Sequence, residues 1–412
     1  MWLAEGVLAY AVVDLQTIFA INRAPDIWSR DSRWWPLLSQ GAIPDDFELG
    51  PMMSWRKNLL FADGADHARL RAAVEEALAD VNEDALIRQV QQEATGLIHA
   101  FASHGRADLV SQYAALVPLR IVMRLFGLDA ADVNMLLPIL QRIWDGTDAV
   151  AANFAYERIL RRLIHRQRVW PGKTITAFLD AHSADLTEAE LLQHLVLLIG
   201  AAGGPTGNLI ANALGLLLCD GPLGRDVQAK RTTITEAIHQ VLWRENPMQL
   251  YPFVFPVIDV TLGRHTIPAG TPVGMAITAA NMGVTDDRDG QLHGNRAHAS
   301  FGAGPHRCPG RTMALDIAAH AITQLFDLLP DLRLEKPGTP LTRRPSLFAY
   351  AVESLPVVFT APSPSRAQKG SSWTPPAPSF SPQNHPTSKQ PASTPSARRS
   401  RWNSLAAWLR GR

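Results

Sequence analysis

One cysteine in this chain ends a glycine-rich stretch, a position that suits a thiolate ligand. The segment Phe301–Gly310 reads Phe-Gly-Ala-Gly-Pro-His-Arg-Cys-Pro-Gly. Gly302 and Gly304 permit left-handed backbone angles and a close approach of the main chain to a flat partner. The following residues repeat apolar side chains at helical spacing as far as Pro330, which predicts a helix. Cys308 would therefore lie just before a helix N-terminus, where free N–H groups and the helix dipole favour a thiolate.

A lone cysteine is more often a small buried apolar side chain, and glycines before a helix often form only a turn. The complete pattern is more specific. Phe-Gly-x-Gly-x-His-x-Cys-x-Gly resembles, at every fixed position, the haem-binding loop of the cytochrome P450 family of haem-thiolate monooxygenases. The resemblance implies that Cys308 is the axial ligand of the iron of haem b, with Phe301, Gly302 and Gly310 around it. It also implies that His306 binds a haem propionate.

A second basic motif lies upstream of the cysteine. The run from Asp66 opens a predicted helix that continues through Ala79, and His67 and Arg71 share one face of it. Such a pair alone is usually just solvated. In this position it is similar to the family's propionate-binding helix, which implies two donors for carboxylates. The stretch 251–256, Tyr-Pro-Phe-Val-Phe-Pro, lacks the arginine that the family often uses on a propionate.

A long apolar helix is predicted from Thr187 to Leu218. Thr187 and Glu190 have the spacing of a capping box. At 1.5 Å per residue the helix would be roughly 50 Å long, the length of a whole domain. The resemblance implies that it is the central helix that crosses over the haem.

The middle of this helix departs from the family pattern, in which an acid and an alcohol deliver protons for oxygen activation. Residues 201–208 read Ala-Ala-Gly-Gly-Pro-Thr-Gly-Asn. One alignment puts Gly204 and Pro205 at the acid and alcohol positions, and the other puts Pro205 and Thr206 there. Both alignments lack the acid. Because Pro205 cannot donate to the carbonyl of Ala201, a kink or opening is expected.

A further departure concerns the buried Glu-x-x-Arg ion pair of the family. Aligned on Pro247, the two positions hold Gln240 and Trp243. The pattern is similar to a bacterial, actinobacterial subgroup with Trp in place of Arg, and Gln240 is a further change. A neutral pair avoids the desolvation cost of a buried ion pair, so the change is compatible with a stable fold.

Three large apolar side chains, Met52, Met53 and Trp55, lie in an irregular stretch rich in Gly and Pro. They either fill the edge of the core or, as the resemblance implies for this region, contact substrate. Later segments predict strands. Val260–Ile267 and Pro272–Thr278 are expected to form a hairpin around Pro268–Gly270. The predicted closing strands are Leu332–Leu334, Leu347–Tyr350 and Leu355–Phe359.

Composition limits the class of protein. The chain has 412 residues, 46% hydrophobic, and two cysteines, so a disulfide framework is excluded and a cytoplasmic protein is expected. Residues 361–412 carry 8 of the 39 basic residues and none of the 38 acidic ones, so the body is mildly acidic and offers no nucleic-acid surface. No signal peptide or membrane anchor is predicted at the N-terminus.

We therefore predict a mainly α fold with a small β-rich side, the cytochrome P450 fold, with an abbreviated N-terminal segment. Residues 1–360 would form the haem domain, 361–400 a Pro/Ser-rich disordered linker, and 401–412 a short basic amphipathic segment. The stretch 398–412 is either a frayed tail or a site that docks a protein or membrane surface.

The resemblance implies a monooxygenase that acts on a small apolar or amphipathic metabolite with electrons from a ferredoxin and its reductase. Arg307 and Arg311 would lie on the face where an acidic carrier docks. The alternative is a haem-binding regulatory or assembly protein with little turnover, which the altered central helix and the basic tail favour.

Overall fold

The computed structural model describes residues 1–4, 6–43, 47–285 and 292–361. The described residues belong to one compact unit, Met1–Ala361. The predicted linker from residue 362 onward and the basic segment 401–412 lie outside the described residues, so both stay predictions.

Helices make up most of the described chain, as the apolar periodicity of the sequence predicts. Several shorter 3₁₀ turns and one π-helical turn, Val110–Ala114, connect them. The α-helices of the described ranges are α1 (Leu15–Asn22), α2 (Pro36–Ser39), α3 (Gly50–Met53), α4 (Gly64–Ala79), α5 (Glu83–Ala102), α6 (Leu116–Phe126), α7 (Ala130–Asp145), α8 (Ala149–Val169), α9 (Ile175–Ala181), α10 (Glu188–Leu218), α11 (Pro222–Gln228), α12 (Ile234–Arg244), α13 (Ile277–Thr285) and α14 (Arg311–Leu328).

The longest of them, α10, is central to the packing. Its first turn has the predicted capping box, in which the Thr187 hydroxyl accepts from the Glu190 backbone and the Glu190 carboxylate accepts from the Thr187 backbone. It packs against α6, α8, α12 and α14. In length and composition α10 could cross a membrane, and half of its most apolar window is buried within the protein.

Two apolar clusters meet along α10. Its N-terminal half, from Leu191 to Ile199, packs in one cluster with α4, α6, α7 and α8. Its C-terminal half, from Leu209 to Leu217, packs in the other with α5, α12 and α14. Residues 200–208 lie where these clusters separate. A gap in the core is therefore expected beside the glycine-rich middle of α10.

The predicted opening at Pro205 is not seen as a break, because α10 is helical without interruption from Glu188 to Leu218. Proline has no N–H, so the carbonyl of Ala201 still lacks its usual donor within the helix.

Short strands form the smaller β-rich part. They are β1 (Trp2–Ala4), β2 (Val7–Leu8), β3 (Tyr10–Val12), β4 (Trp28–Ser29), β5 (Arg106–Asp108), β6 (Phe253–Pro256), β7 (Val260–Leu262), β8 (His265–Ile267), β9 (Val273–Met275), β10 (Arg333–Leu334) and β11 (Pro356–Val358). One sheet has the order β3-β9-β6-β4 and another β10-β11-β5, while β1-β2 and β7-β8 pair separately.

Two strand predictions are wrong in detail. The observed hairpin joins β7 to β8 and turns at residues 263–264, not at Pro268–Gly270. Gly263 has φ of 58°, and a two-residue loop with such an angle matches the twist of the paired strands. The later segment β9 instead pairs with β3 and β6. Leu347–Tyr350 is not a strand, and only Ala349 forms an isolated bridge, to Met248.

Candidate active site

The cysteine loop is held against the N-terminal helix α1. Gly302 and Gly304 have φ of 66° and 65°, the left-handed region that their type permits. A β-carbon on Gly304 would lie 2.0 Å from the carbonyl oxygen of Asn22, so no other residue fits here. The backbone N–H of Cys308 donates to the carbonyl of Phe301 at 2.8 Å, which closes the loop.

Cys308 is half-buried and lies on the wall of a cavity. Burial raises its pKa, while a hydrogen bond from the Gly310 backbone and the cations Arg71 and Arg311 oppose that effect. The start of the helix and these cations act toward a thiolate, as the sequence predicts, while desolvation acts more strongly in the opposite direction. A coordinating metal ion would reverse the balance, since metal-bound thiols are deprotonated.

The two basic motifs converge beside this loop. The rings of His67 on α4 and His306 are in contact, with centroids 4.0 Å apart and planes tilted by 43°. Arg71, one turn after His67, donates to the carbonyl of Arg307 and pairs with Glu75 at 2.7 Å. The structure thus brings together side chains that are far apart in sequence, as predicted.

These histidines are uncharged at neutral pH in the protein alone. Burial lowers the pKa of His306 to about 4, against the hydrogen bond to Asp63, and burial also lowers the pKa of His67. His306 Nε2 lies 3.5 Å from the Asp63 carboxylate. Among the described residues, His67 Nε2 and His306 Nδ1 are buried without a hydrogen-bond partner. Buried polar atoms of this kind normally have a partner, so a ligand acceptor is expected here.

A large cavity separates the cysteine loop from α10. It encloses about 1690 Å³ of space not occupied by protein atoms, part of it open to solvent. The part of this space that the centre of a water-sized sphere can reach is about 280 Å³, and this is the figure to compare with ordinary ligand pockets of roughly 300–1,000 Å³. The loop side includes Phe301, Gly302, His306, Cys308 and Gly310, and the α10 side includes Leu197, Leu198, Ala201, Ala202, Pro205 and Thr206.

The cavity distinguishes the two alignments of the central helix. Pro205 and Thr206 line it, and Thr206 is buried. Gly204 is not among the lining residues, and a β-carbon there would lie 2.9 Å from the indole nitrogen of Trp144. The structure therefore favours the alignment with Pro205 at the acid position and Thr206 at the alcohol position.

The substrate contacts considered for the irregular N-terminal stretch are not supported. Met52, Met53 and Trp55 are absent from the cavity lining of the described residues. Met53 is buried in an apolar cluster, and Arg33 stacks over the Trp55 ring at 4.4 Å. They fill the edge of the core. Leu59 and Leu60, just downstream, line the cavity instead.

The helix that usually carries the Glu-x-x-Arg pair contacts the loop Leu292–His298. Trp243 is buried and its Nε1 donates to the carbonyl of Asn295 at 3.0 Å. His239 and His298 stack at 5.4 Å, with Nδ1 and Nε2 3.1 Å apart. An ion pair is present one turn earlier, between Glu236 and Arg296 at 2.6 Å.

These contacts revise the predicted neutral pair. Trp243 contacts the loop as expected, but the neutral partner found beside it is the His239–His298 pair, with which Trp243 makes a T-shaped contact at 5.7 Å. Nothing in the spacing of the sequence indicated the histidine pair or the displaced ion pair.

The residues fit a haem. In the described part of the chain no three His, Cys, Asp or Glu side chains are arranged to hold a metal ion. A single half-buried cysteine on the wall of a broad apolar cavity, with unpartnered nitrogens at its edge, is instead the donor set for a metal whose other ligands come from a flat macrocycle with carboxylates. Fold and site together define a haem-thiolate protein.

Comparisons with known proteins agree. No protein-family model matches the chain. It is 29% identical over 327 residues to cytochrome P450 107B1 of Saccharopolyspora erythraea, covering 77% of this chain and 78% of that one. It is 26% identical to vitamin D(3) 25-hydroxylase of Pseudonocardia autotrophica, over 84% and 87% of the two chains.

Among solved structures, CYP154A1 from Streptomyces coelicolor A3(2) matches with a TM-score of 0.79 and 27% identity, over 86% of this chain and 92% of that one. Over most of its length the chain is therefore similar to bacterial cytochrome P450s, which are haem-dependent monooxygenases. The predicted fold class is confirmed.

Proposed function

We propose that this cytochrome P450 binds haem through Cys308 and inserts oxygen into a small apolar or amphipathic metabolite. The observation that carries the proposal is the half-buried Cys308 on the wall of an apolar cavity, opposite α10. Phe301 would pack beside the sulfur, and the small residues Gly302 and Gly310 would let the loop approach the ring. When bound, haem supplies the oxidative chemistry, and the protein supplies ligand, electrostatics and pocket.

His67, Arg71 and His306 would hold the haem propionates. The unpartnered nitrogens of the two histidines support this role. His67 could donate from Nε2 to a carboxylate oxygen, and His306, whose Nε2 is directed at Asp63, could donate from Nδ1 once a propionate charge favours its protonated form. Arg71 also donates to the carbonyl of Arg307, so it would tie the propionate side to the cysteine loop.

The substrate would occupy the α10 side of the cavity. Leu59, Leu197, Leu198 and Trp144 give this region an apolar surface, which favours ligands with few polar groups. A 26% identical relative is named for hydroxylation of vitamin D(3), a largely apolar molecule, which agrees with this class.

Thr206 would be the protein group that moves protons beside the substrate. It lines the cavity next to Pro205, which occupies the position of the family's acid. Without that carboxylate, protons would come through the Thr206 hydroxyl, from water, or from a polar group of the substrate. General acid–base groups contribute roughly 10²–10⁴ in rate. Proline in place of the carboxylate should therefore slow the reaction unless one of these three proton sources takes over.

Electrons would arrive at the Cys308 face from a ferredoxin in the cytoplasm. Arg307 is exposed there, next to the ligand. Arg311 is half-buried and stacks over the Phe301 ring at 5.6 Å, so it would act less as a docking group than predicted. An acidic carrier would be steered mainly by Arg307, and reduction should slow as salt rises.

The test is the carbon monoxide spectrum of the reduced protein, followed by turnover under ¹⁸O₂. The parent should show the red-shifted Soret band of a thiolate adduct and place one labelled oxygen in the product. Cys308→Ala should lose that band. Cys219→Ala is the matched control, because Cys219 is the second free cysteine and is not among the cavity-lining residues.

Retention of the thiolate band in Cys308→Ala would refute the ligand assignment. An intact band without product from any apolar ligand that shifts the Soret band would favour the haem-binding regulatory alternative.

A further inference from the structure

Arg30 is a buried cation of the cavity that the sequence motifs do not include. It directly follows β4, is 5% exposed and lines the cavity. Its Nη2 donates to the amide oxygen of Asn22 at 2.5 Å. Its Nη1 is buried and has no hydrogen-bond partner among the described residues. One edge of the guanidinium group is thus left for a ligand.

The nearby carboxylate does not satisfy this edge. Asp63 accepts hydrogen bonds from the Ser29 hydroxyl at 2.5 Å and from the backbone N–H of Arg30 at 3.1 Å. Burial lowers the pKa of Arg30 to about 10, so the group stays a cation at neutral pH. A buried cation without a close counterion is costly, and an incoming anion would relieve that cost.

The second arginine of the cavity is already engaged. Arg71 forms its ion pair with Glu75 and donates to the carbonyl of Arg307. Both Nη groups of Arg71 are therefore engaged, whereas Nη1 of Arg30 is free among the described residues.

The sheet register explains why Arg30 reaches this place. Strand β4 pairs with β6 so that Trp28 faces Pro256 and Ser29 faces Phe255. One further step of the same register would set Arg30 opposite Val254. This is the stretch 251–256, in which the arginine that the family often uses on a propionate is missing. Directly opposed residues of neighbouring strands project to the same side of a sheet.

Two more unpartnered nitrogens lie in the same group. His306 Nδ1 and His67 Nε2 are buried and free among the described residues, as Arg30 Nη1 is. The charge of Arg30 acts on both histidines and helps to keep them neutral. Three buried nitrogens without a partner among the described residues, one of them on a cation, indicate that a carboxylate completes the group.

We propose that Arg30 binds a haem propionate and supplies, from the neighbouring strand, the charge that residues 251–256 lack. The inference rests on the proposed haem binding. A planar guanidinium group can donate two parallel hydrogen bonds to a carboxylate, which suits an anion at the edge of a flat cofactor.

The experiment measures the rate at which the full-length holoprotein transfers haem to apomyoglobin. Arg30→Gln should lose haem about 10- to 100-fold faster than the parent, the range for a lost charge-assisted hydrogen bond. Arg30→Lys should fall between them. Arg33→Gln is the matched control and should leave the rate unchanged, because Arg33 is exposed and paired with Asp31 at 2.5 Å.

A second arm replaces haem by its dimethyl ester, which has no propionate charge. Parent and Arg30→Gln should release the ester at the same rate. An equal acceleration for haem and ester would mean that Arg30 only supports the fold, and equal haem loss by parent and Arg30→Gln would also overturn the proposal. Should Arg30→Gln fail to fold, Arg30→Lys against the two cofactors decides it. These haem-loss rates do not test the proposed function. Its failure would instead be seen as a protein that keeps its haem and forms no product.

Discussion

At the scale of single residues, the proposal for proton delivery depends on three consecutive positions of α10. Gly204 faces Trp144, whereas Pro205 and Thr206 face the cavity. Both alignments pair neighbouring residues about 100° apart on the helix, so the lining of the cavity, and not the helical spacing, favours the alignment on Pro205 and Thr206. In that alignment the acid of the family pattern is replaced by proline.

Installing a carboxylate at each candidate position tests this geometry. Pro205→Glu should raise the product formed per electron consumed, because the new acid faces the cavity. Gly204→Glu should leave that ratio unchanged and destabilise the fold by about 1–3 kcal/mol, since its side chain would overlap Trp144. Product and electron consumption are measured with a surrogate ferredoxin, and stability by thermal unfolding. A gain from Gly204→Glu but not from Pro205→Glu would reverse the alignment.

The hydroxyl of Thr206 is the second residue-scale prediction. If it carries the remaining proton transfer, Thr206→Ala should lower product per electron by about 10²-fold, the low end for an acid–base group. Thr206→Ser keeps the hydroxyl and should stay near the parent value. Hydrogen peroxide already contains the required protons, so it should restore turnover of Thr206→Ala. Equal coupling in all three proteins would show that water alone is sufficient.

At the scale of elements, α12 and the loop Leu292–His298 replace one buried ion pair by several contacts. Glu236, His239 and Trp243 contact Arg296, His298 and Asn295 in turn. The usual pair would put two charges at the centre of this interface. Here the charged contact lies at its partly exposed end and the buried centre is neutral.

Restoring only half of the family pair should therefore harm the protein. Trp243→Arg buries a cation among His239, His298 and Arg296, at a cost of about 3–5 kcal/mol. Trp243→Phe loses only the indole hydrogen bond to Asn295 and should cost about 1–3 kcal/mol. The double variant Gln240→Glu/Trp243→Arg should recover part of the loss. Thermal unfolding and haem occupancy report the order, and a Trp243→Arg variant as stable as the parent would exclude this packing.

Sequence reasoning succeeded where the signal is local. The loop around Cys308 and the capping box of Thr187 follow from short patterns of turn and cap residues, and the structure has both. It failed where partners meet through space. Arg30 gives no signal in its own segment, because its placement comes from the register of β4 on β6. The Glu236–Arg296 pair was missed for the same reason.

At the scale of the whole molecule, buried histidines make the fold sensitive to acid. Burial, with the cations Arg296 and Arg311, lowers the pKa of His239 to about 4, and burial and His239 lower that of His298 to about 3. The nearby Glu236 carboxylate acts in the opposite direction on His239. An unfolded histidine has a pKa of about 6.5. Between these values the unfolded chain binds more protons than the folded one.

The free energy of unfolding should therefore fall as pH drops from about 6.5 toward 4. His239→Asn should reduce this slope, measured as the unfolding temperature between pH 7 and 4.5. His265→Asn removes an exposed histidine of the β7–β8 hairpin and should leave the slope as in the parent. A parent slope that His239→Asn does not change would assign the acid sensitivity to other groups.

The contact between Gly304 and the carbonyl of Asn22 also has a consequence for the order of folding. It joins a residue near the start of the described chain to one near its end, and a β-carbon would not fit between them. During synthesis the N-terminal helix leaves the ribosome long before the loop that completes its surface. Until the loop docks, neither Cys308 nor His306 faces the side chains contributed by the first part of the chain. Complete assembly of the pocket therefore requires both the first helix and the cysteine loop, which lie about 280 residues apart in the chain.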